Sequence, residues 1–222
     1  MSQTSFKNYF VFDLDDTLVD GRHFCGETIA RVITHFDPKA DFYKIVKLHE
    51  EKHGLVITDL YNEILRDLGL HSKLSTKIDE MLAMDKQIQT EDIEKLKIFD
   101  GVIDIFEFLK AHDKKVYMCT NRMESLLRLA MKHNDIEKYF DKIVSCVDRG
   151  FKKPDPTCLT ELINESGAEK QEFIYFGDSI VDSDFARNAG IEYLIFDQYL
   201  NDKNIFKKLI NMFLEEKING FK

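Results

Sequence analysis

The stretch Tyr9-Phe10-Val11-Phe12-Asp13-Leu14-Asp15-Asp16-Thr17 decides the fold of this chain. Its first four residues are apolar and predict a short buried strand. Asp13 and Asp15 are two positions apart, so they would point to the same face of a strand, and burying both would be costly without a cation. We therefore expect the strand to end before Asp13, with both carboxylates at its carboxyl edge and a positive charge beside them.

Polar residues also follow a second apolar run, and a lysine lies in a stiff turn farther along the chain. The run 116–119 ends in Thr120 and Asn121, whose hydroxyl and amide suit a phosphoryl oxygen. Lys153 precedes Pro154, and a proline fixes its own φ and restricts the residue before it. The lysine is therefore presented with little backbone freedom.

A third apolar run, 173–176, leads into two more carboxylates. Asp178 follows it closely, and Asp182 comes four residues later. Residues four apart in a helix share one face, so both are expected to point the same way from the start of a helix. Clustered carboxylates need a metal ion, a lysine or both to offset their repulsion.

The spacing of apolar residues divides the chain into a helical insertion and an alternating part. Between residues 24 and 89 it predicts only helices, at 27–36, 42–53, 57–68 and 74–88. Later helices are predicted at 102–112, 123–133, 156–166, 180–189 and 202–216, and strands at 115–119, 142–146, 173–176 and 191–196. This order predicts an α/β fold, a doubly wound parallel sheet (Rossmann-like core) with an inserted helical unit. Ligands of such sheets bind at the carboxyl ends of the strands, where all the acids, the hydroxyl and the lysine fall.

Composition limits the classes of partner. The chain has 222 residues, 44% of them hydrophobic, and a net charge of −9, which argues against nucleic acid because such binding rests on clustered Lys and Arg. No stretch resembles a signal peptide or a membrane span, so we expect no membrane partner and a cytoplasmic monomer or homodimer. The four cysteines form no C-x-x-C pair, which favours reduced thiols over a zinc knuckle.

Together, the four motifs resemble those of the haloacid dehalogenase superfamily of phosphohydrolases, over nearly the whole chain. Asp13 and Asp15 match its first motif, Thr120 its second, Lys153 its third, and Asp178 with Asp182 its fourth. Asp16 departs from the pattern, since many relatives carry glycine there, and we assign it no role.

The resemblance implies Mg2+-dependent hydrolysis of a phosphomonoester through an aspartyl-phosphate. Asp13 would be the nucleophile and Asp15 the general acid and base. Thr120, Asn121 and Lys153 would hold phosphoryl oxygens. The Mg2+ site would include four aspartates, Asp13, Asp15 (through its backbone carbonyl), Asp178 and Asp182, of which Asp182 would anchor metal-bound waters or Lys153. The substrate would be a small phosphorylated metabolite such as phosphoglycolate, a sugar phosphate or a nucleotide.

The resemblance also implies a discontinuous core and a mobile cap that excludes water and selects the substrate. Residues 1–19 and 99–222 would form the core and residues 20–98 the cap, with hinge strands near 20–23 and 95–100. The basic residues of this region that are candidates for contact with the leaving group are Arg22, His23, Lys44, Lys47 and Arg66.

Other functions remain open. A sugar-phosphate mutase would share all four motifs and differ in the lifetime of the phosphoenzyme. A phosphonatase would need a suitably placed cap lysine, whereas Asp15 argues against the dehalogenase branch. A phosphate-binding or scaffold protein without turnover is disfavoured because no expected catalytic position is missing.

The segment His49-Glu50-Glu51-Lys52-His53 fits the H-E-x-x-H pattern of zinc proteases. Two histidines do not complete a zinc site, and no downstream ligand motif accompanies them. We therefore expect this segment to be a solvated helix of the cap.

Overall fold

The computed structural model describes residues 7–195 of the chain. The strands in this range are β1 (Tyr9–Phe12), β2 (Lys115–Thr120), β3 (Lys142–Ser145), β4 (Phe173–Gly177) and β5 (Glu192–Ile195). They form one parallel sheet in the order β3-β2-β1-β4-β5, so β1 lies at the centre. The predicted α/β class is confirmed.

Two sets of helices accompany the sheet. Before β2 come α1 (Arg22–Phe36), α2 (Phe42–Glu51), α3 (Ile57–Asp67), α4 (His71–Leu74), α5 (Ile78–Glu91) and α6 (Val102–Ala111). After it come α7 (Glu124–His133), α8 (Thr157–Ser166) and α9 (Ile180–Ala189). The prediction of one helix over 74–88 is wrong at its start, since α4 and a turn of 3-10 helix precede α5.

The strands are apolar runs whose side chains alternate between two faces of the sheet. Phe10 and Phe12 of β1 belong to an apolar cluster that includes Phe106 of α6. Val11 points to the other face, in a second cluster that includes Phe185 of α9. Helices therefore cover both faces, as a doubly wound sheet requires.

Helices α1 to α5 bury a third apolar cluster of their own. Ile33 of α1, Ile45 of α2 and Tyr61 of α3 are fully buried in it. The helical character predicted between residues 24 and 89 is thus confirmed. The division into a core of residues 1–19 and 99–222 and a cap of residues 20–98 stays a prediction.

The connection between these helices and the sheet differs from the predicted hinge strands. A single antiparallel bridge joins Val19 to Ile98, and Arg22 already begins α1. Residues 22 and 23 are therefore helical, and the prediction of a strand there is wrong. The helix predicted at 202–216 lies outside the described residues.

The end of β1 sets up the site. The backbone N–H of Asp13 donates to the carbonyl of Phe176 at 2.9 Å, which keeps Asp13 in line with the end of β4. Asp16 has a φ of 60° and lies in the left-handed region, which glycine adopts at the lowest cost and Asp tolerates. This conformation gives a physical reason why glycine suits position 16. The turn at Asp16 lies between the end of β1 and the start of α1.

Candidate active site

Asp13 and Lys153 meet at the carboxyl end of β1. Both are buried, with 7% and 5% of their surfaces exposed. The Nζ of Lys153 donates a hydrogen bond to Oδ1 of Asp13 at 2.6 Å. A bond between two charged groups out of water is short and strong, so Lys153 supplies the positive charge that the sequence predicts beside this carboxylate.

Lys153 has two further partners. Its Nζ donates to Oδ1 of Asp182 at 2.8 Å and to the hydroxyl of Tyr175. The other carboxylate oxygen of Asp182 accepts hydrogen bonds from the hydroxyl of Ser179 at 2.6 Å and from its backbone N–H at 3.2 Å. Asp182 thus fixes the start of α9 and the lysine together, which fits the prediction that it anchors Lys153.

Asp178 lies between the acids of the core and two residues from the helical insertion. Its Oδ2 accepts a hydrogen bond from Nη2 of Arg22 at 3.4 Å and lies 3.3 Å from Nε2 of His53. Asp13, Asp178 and Asp182 each offer an oxygen within 4.8 Å of the other two. Three of the four aspartates predicted as metal ligands therefore converge through their side chains.

Burial and mutual repulsion shift the pKa values of this cluster. Burial raises the pKa of Asp13 to about 7, although Lys153 opposes it. Burial and then the charge of Asp182 raise the pKa of Asp178 to about 9. Burial acts to raise the pKa of Asp182 as well, but the charge and hydrogen bond of Lys153 and the hydrogen bonds from Ser179 together bring it below its ordinary value. The positive charge near Asp13 and Asp178 therefore does not offset the cost of burying their carboxylates in the ionised form.

The donor set fits a divalent ion. Within residues 7–195, the carboxylate cluster and the ion pairs beside it comprise five aspartates and three permanently charged cations: Asp13, Asp15, Asp16, Asp178 and Asp182 against Arg22, Arg122 and Lys153. When all five carboxylates are ionised, negative charge exceeds positive charge by two, which one divalent ion would balance. Carboxylate oxygens are the ligands that hard cations prefer.

Thr120 and Asn121 follow β2 and reach the same edge. The hydroxyl oxygen of Thr120 accepts a hydrogen bond from the backbone N–H of Arg122 at 3.2 Å, which leaves its own O–H able to donate. The side-chain oxygen of Asn121 accepts from the backbone N–H of Lys153 at 2.8 Å. Its amide donates to the carbonyl of Gly54 at 3.3 Å. Asn121 therefore joins the lysine loop to the helical insertion.

Asp15 lies apart from the three clustered carboxylates. Its Oδ1 accepts a hydrogen bond from Nη1 of Arg122 at 2.7 Å, and about a third of its side chain is exposed. Its carboxylate is therefore not one of the three that cluster, which is consistent with a metal contact through its backbone carbonyl only.

A cavity of about 120 Å³ opens over these residues. Its floor includes Asp13 and Lys153, and its walls come largely from the helical insertion and include His49, His53, Ile29, Leu60, Asp85 and Gln89. The five basic residues predicted as leaving-group contacts, Arg22, His23, Lys44, Lys47 and Arg66, do not line it. Arg22 instead pairs with Asp16 and Asp178.

The H-E-x-x-H segment is not a solvated helix throughout. His49 is buried, and burial lowers its pKa to about 3, so it is a neutral wall residue of the cavity. Within residues 7–195, neither His49 nor His53 belongs to a group of three metal-binding side chains. This geometry gives no support to zinc hydrolysis.

Sequence reasoning missed Arg122, Gln89 and Tyr175. Tyr175 lies inside β4, where it resembles any other core residue, yet its hydroxyl contacts Lys153 and Asp182 and donates to the carbonyl of Cys119. Arg122 lies two residues after Thr120 and is buried. The sequence does not predict this, because a single arginine in a loop is usually exposed.

Comparison with known proteins defines the class. The carboxylates and the lysine of this site meet at the carboxyl edge of the parallel sheet, where open α/β folds bind their ligands. The family model described as haloacid dehalogenase-like hydrolase matches residues 10–196. The chain belongs to this family.

Named relatives agree with this assignment. The chain is 27% identical to a phosphoglycolate phosphatase of Mesorhizobium japonicum, over 88% of this chain and 85% of that protein. It is 23% identical to the pyrophosphatase PpaX of Bacillus mycoides, over 82% and 80% of the two chains. A crystal structure of a predicted phosphoglycolate phosphatase from Haemophilus somnus shares the fold, with a TM-score of 0.73, 18% identity and 93% of both chains covered. The chain is an enzyme, a phosphatase of this family.

No helix within residues 7–195 is long and apolar enough to cross a membrane.

Proposed function

We propose that this enzyme hydrolyses a small phosphomonoester through an aspartyl-phosphate on Asp13 and requires Mg2+. The observation that carries the proposal is the position of Lys153, whose Nζ lies 2.6 Å from Asp13 and 2.8 Å from Asp182, beside Asp178. This arrangement places an ammonium group where a phosphoryl group would meet a carboxylate. We place the enzyme in the cytoplasm, where its four free cysteines would stay reduced.

The reaction has two displacements at phosphorus. A carboxylate oxygen of Asp13 forms a bond to phosphorus while the ester P–O bond breaks, and Asp15 gives its proton to the departing alkoxide. Asp15 then takes a proton from water, whose oxygen attacks phosphorus. The bond to Asp13 breaks and inorganic phosphate is released.

The surrounding residues hold and screen the phosphoryl oxygens. Lys153 and the O–H of Thr120 would donate to them, and the loop held by Asn121 keeps the lysine in place. Asp13 and Asp178 would hold Mg2+ through carboxylate oxygens and Asp15 through its carbonyl, with Asp182 supporting bound water or Lys153. When bound, the ion supplies charge stabilisation for the phosphoryl group.

The cavity supports the proposal of a small substrate. Its limited volume and its apolar wall residues Ile29 and Leu60 suit a small leaving group. Phosphoglycolate is the first candidate, since a similar protein bears that name, and sugar phosphates and nucleotides come next. A panel of phosphorylated metabolites assayed for inorganic phosphate tests this order. A mutase would convert a sugar phosphate to its isomer and release little phosphate.

We expect hydrolysis of p-nitrophenyl phosphate in the presence of Mg2+ and its loss with EDTA. Restoration of activity by Mg2+ after EDTA is the control for damage by the chelator. Activity that persists in a metal-free protein would contradict the proposed requirement.

We also expect millimolar Mg2+ to raise the melting temperature, because the ion binds the folded state. The pKa values of Asp13 and Asp178, about 7 and about 9, are raised above their unfolded values. Their contribution to stability in the metal-free protein is therefore present in acid and is lost as the pH rises through those values. Since protons and Mg2+ compete for these oxygens, the gain should be larger at about pH 8 than at about pH 6. An unchanged melting curve at both pH values would count against the site.

A further inference from the structure

We infer that Gln89 and Arg122 are positioning residues for Asp15, and that they make proton donation by Asp15 depend on helix α5 of the helical insertion. The inference rests on the proposed function, in which Asp15 is the general acid. Arg122 belongs to the loop after β2 and Gln89 to the last turns of α5. The contact between them joins two parts of the chain that are distant in sequence.

Arg122 uses its two terminal nitrogens for two different partners. Nη1 donates to Oδ1 of Asp15 at 2.7 Å, and Nη2 donates to the side-chain oxygen of Gln89 at 2.6 Å. The guanidinium group is planar and rigid, so fixing one nitrogen fixes the direction of the other. The position of Gln89 therefore fixes the orientation of the Arg122 guanidinium, and with it the position of the hydrogen bond to Asp15.

Gln89 is itself held in one orientation. Its side-chain nitrogen donates to Oδ1 of Asp85, one turn earlier in α5. The other oxygen of Asp85 accepts from the hydroxyl of Tyr61 in α3 at 2.8 Å. Because the amide nitrogen is committed to Asp85, the amide oxygen must face Arg122.

Burial makes this chain of hydrogen bonds specific. Tyr61, Asp85, Gln89 and Arg122 are all buried, and polar groups removed from water are costly unless their partners are in place. Asp15 is the most exposed member of the chain. Without Arg122, the carboxylate of Asp15 could turn toward solvent, whereas the network holds it at the wall of the cavity.

The functional consequence concerns the departing group. A movement of α5 away from the sheet would take Gln89 from Arg122 and release Asp15. The acid would then be positioned only when the insertion covers the cavity, so departure of a basic alkoxide would be assisted only in the covered site. A leaving group that needs no proton would be insensitive to this arrangement.

Leaving groups of increasing basicity test the inference. The substrates are p-nitrophenyl, phenyl and benzyl phosphate, and kcat/KM is measured because it reports the steps through departure of the leaving group. We expect Arg122→Met to lower kcat/KM about 100-fold for benzyl phosphate, the scale of general acid catalysis, and less than about 5-fold for p-nitrophenyl phosphate. Gln89→Met should lower kcat/KM for benzyl phosphate about 10-fold and should again have a smaller effect on p-nitrophenyl phosphate. Arg122→Lys keeps the positive charge but cannot donate to Asp15 and Gln89 from two rigidly linked nitrogens. Its kcat/KM for benzyl phosphate should therefore lie between those of the wild type and Arg122→Met.

Matched controls separate positioning from general damage. Gln87→Met changes an exposed glutamine of the same helix, and Arg128→Met changes an arginine whose partners are Glu124 and Glu137. Neither should alter the dependence on leaving group. Melting curves show which variants remain folded, and the Gln89 variant serves if the Arg122 variant does not fold.

Two outcomes would overturn the inference. One is an equal loss of kcat/KM for all three substrates in folded variants, and the other is no loss at all. Asp15→Asn should show the same selective loss, and combining it with Arg122→Met should add little more. If Asp15→Asn lost no activity on benzyl phosphate, the proposed role of Asp15 would fail, which is distinct from failure of the positioning network.

Discussion

Asp13→Asn abolishes turnover while the protein stays folded: this is the expected result if Asp13 attacks phosphorus. An amide has no anionic oxygen to form the bond, and removal of a nucleophile costs roughly 10⁴-fold or more in kcat. Folding should survive, because Lys153 keeps Asp182 as a partner in the variant. Phosphate release by the purified variant measures the loss.

Stability measurements sharpen this test. Because the pKa of Asp13 is raised to about 7, its charged form destabilises the metal-free fold above that pH. At about pH 8 without Mg2+, the melting temperature of Asp13→Asn should therefore equal or exceed that of the wild type. Mg2+ should raise the melting temperature of the variant less than that of the wild type. Asp79→Asn, on the exposed face of α5, is the matched control and should change neither activity nor melting. Hydrolysis at the wild-type rate by Asp13→Asn would remove this residue from the mechanism.

Several of the predicted residues that the structure places at this edge share one property: each follows a short apolar run. A buried strand cannot continue through Asp13 or Asp178 without desolvating a carboxylate, so the chemistry of those residues reveals both the strand end and the site. Lys153 was predictable for a related reason, since Pro154 restricts the backbone of the residue before it.

The contacts made by the helical insertion were not predictable in the same way. A helix with apolar residues at regular spacing reveals its buried face but not how it lies on another part of the chain. Gln89 and His49 are polar residues on faces that turn out to be covered, so composition suggests solvent for both. Lys44 and Arg66 show the opposite case: their charge suggests contact with a ligand, but neither residue lines the cavity.

Lys153→Met should remove a single charge from the site and damage both catalysis and folding. Methionine has a similar length but cannot donate to Asp13 or Asp182. Loss of one preorganised cationic donor to a phosphoryl group should lower kcat by roughly 10³-fold. Breaking a buried ion pair by removing one partner costs about 3–5 kcal/mol in the free energy of unfolding. The loss in kcat is measured with Mg2+ present and the loss of stability without it, each against the wild type under the same conditions.

The pH dependence of that loss identifies its cause. The pKa of Asp182 lies below its ordinary value because of Lys153, so its contribution to stability is present above the unfolded pKa and is lost as the pH falls. Asp13 would bind a proton even more readily without the lysine. The stability deficit of Lys153→Met should therefore be larger at about pH 8 than at about pH 5.

The neighbouring lysine provides the control for this variant. Lys152 is exposed and pairs with Asp59 at the surface, so Lys152→Met should cost less than about 1 kcal/mol. Urea unfolding at both pH values measures the two variants side by side. Equal deficits for Lys152→Met and Lys153→Met, or a deficit for Lys153→Met that does not change with pH, would mean that Lys153 does not hold the charges of Asp13 and Asp182.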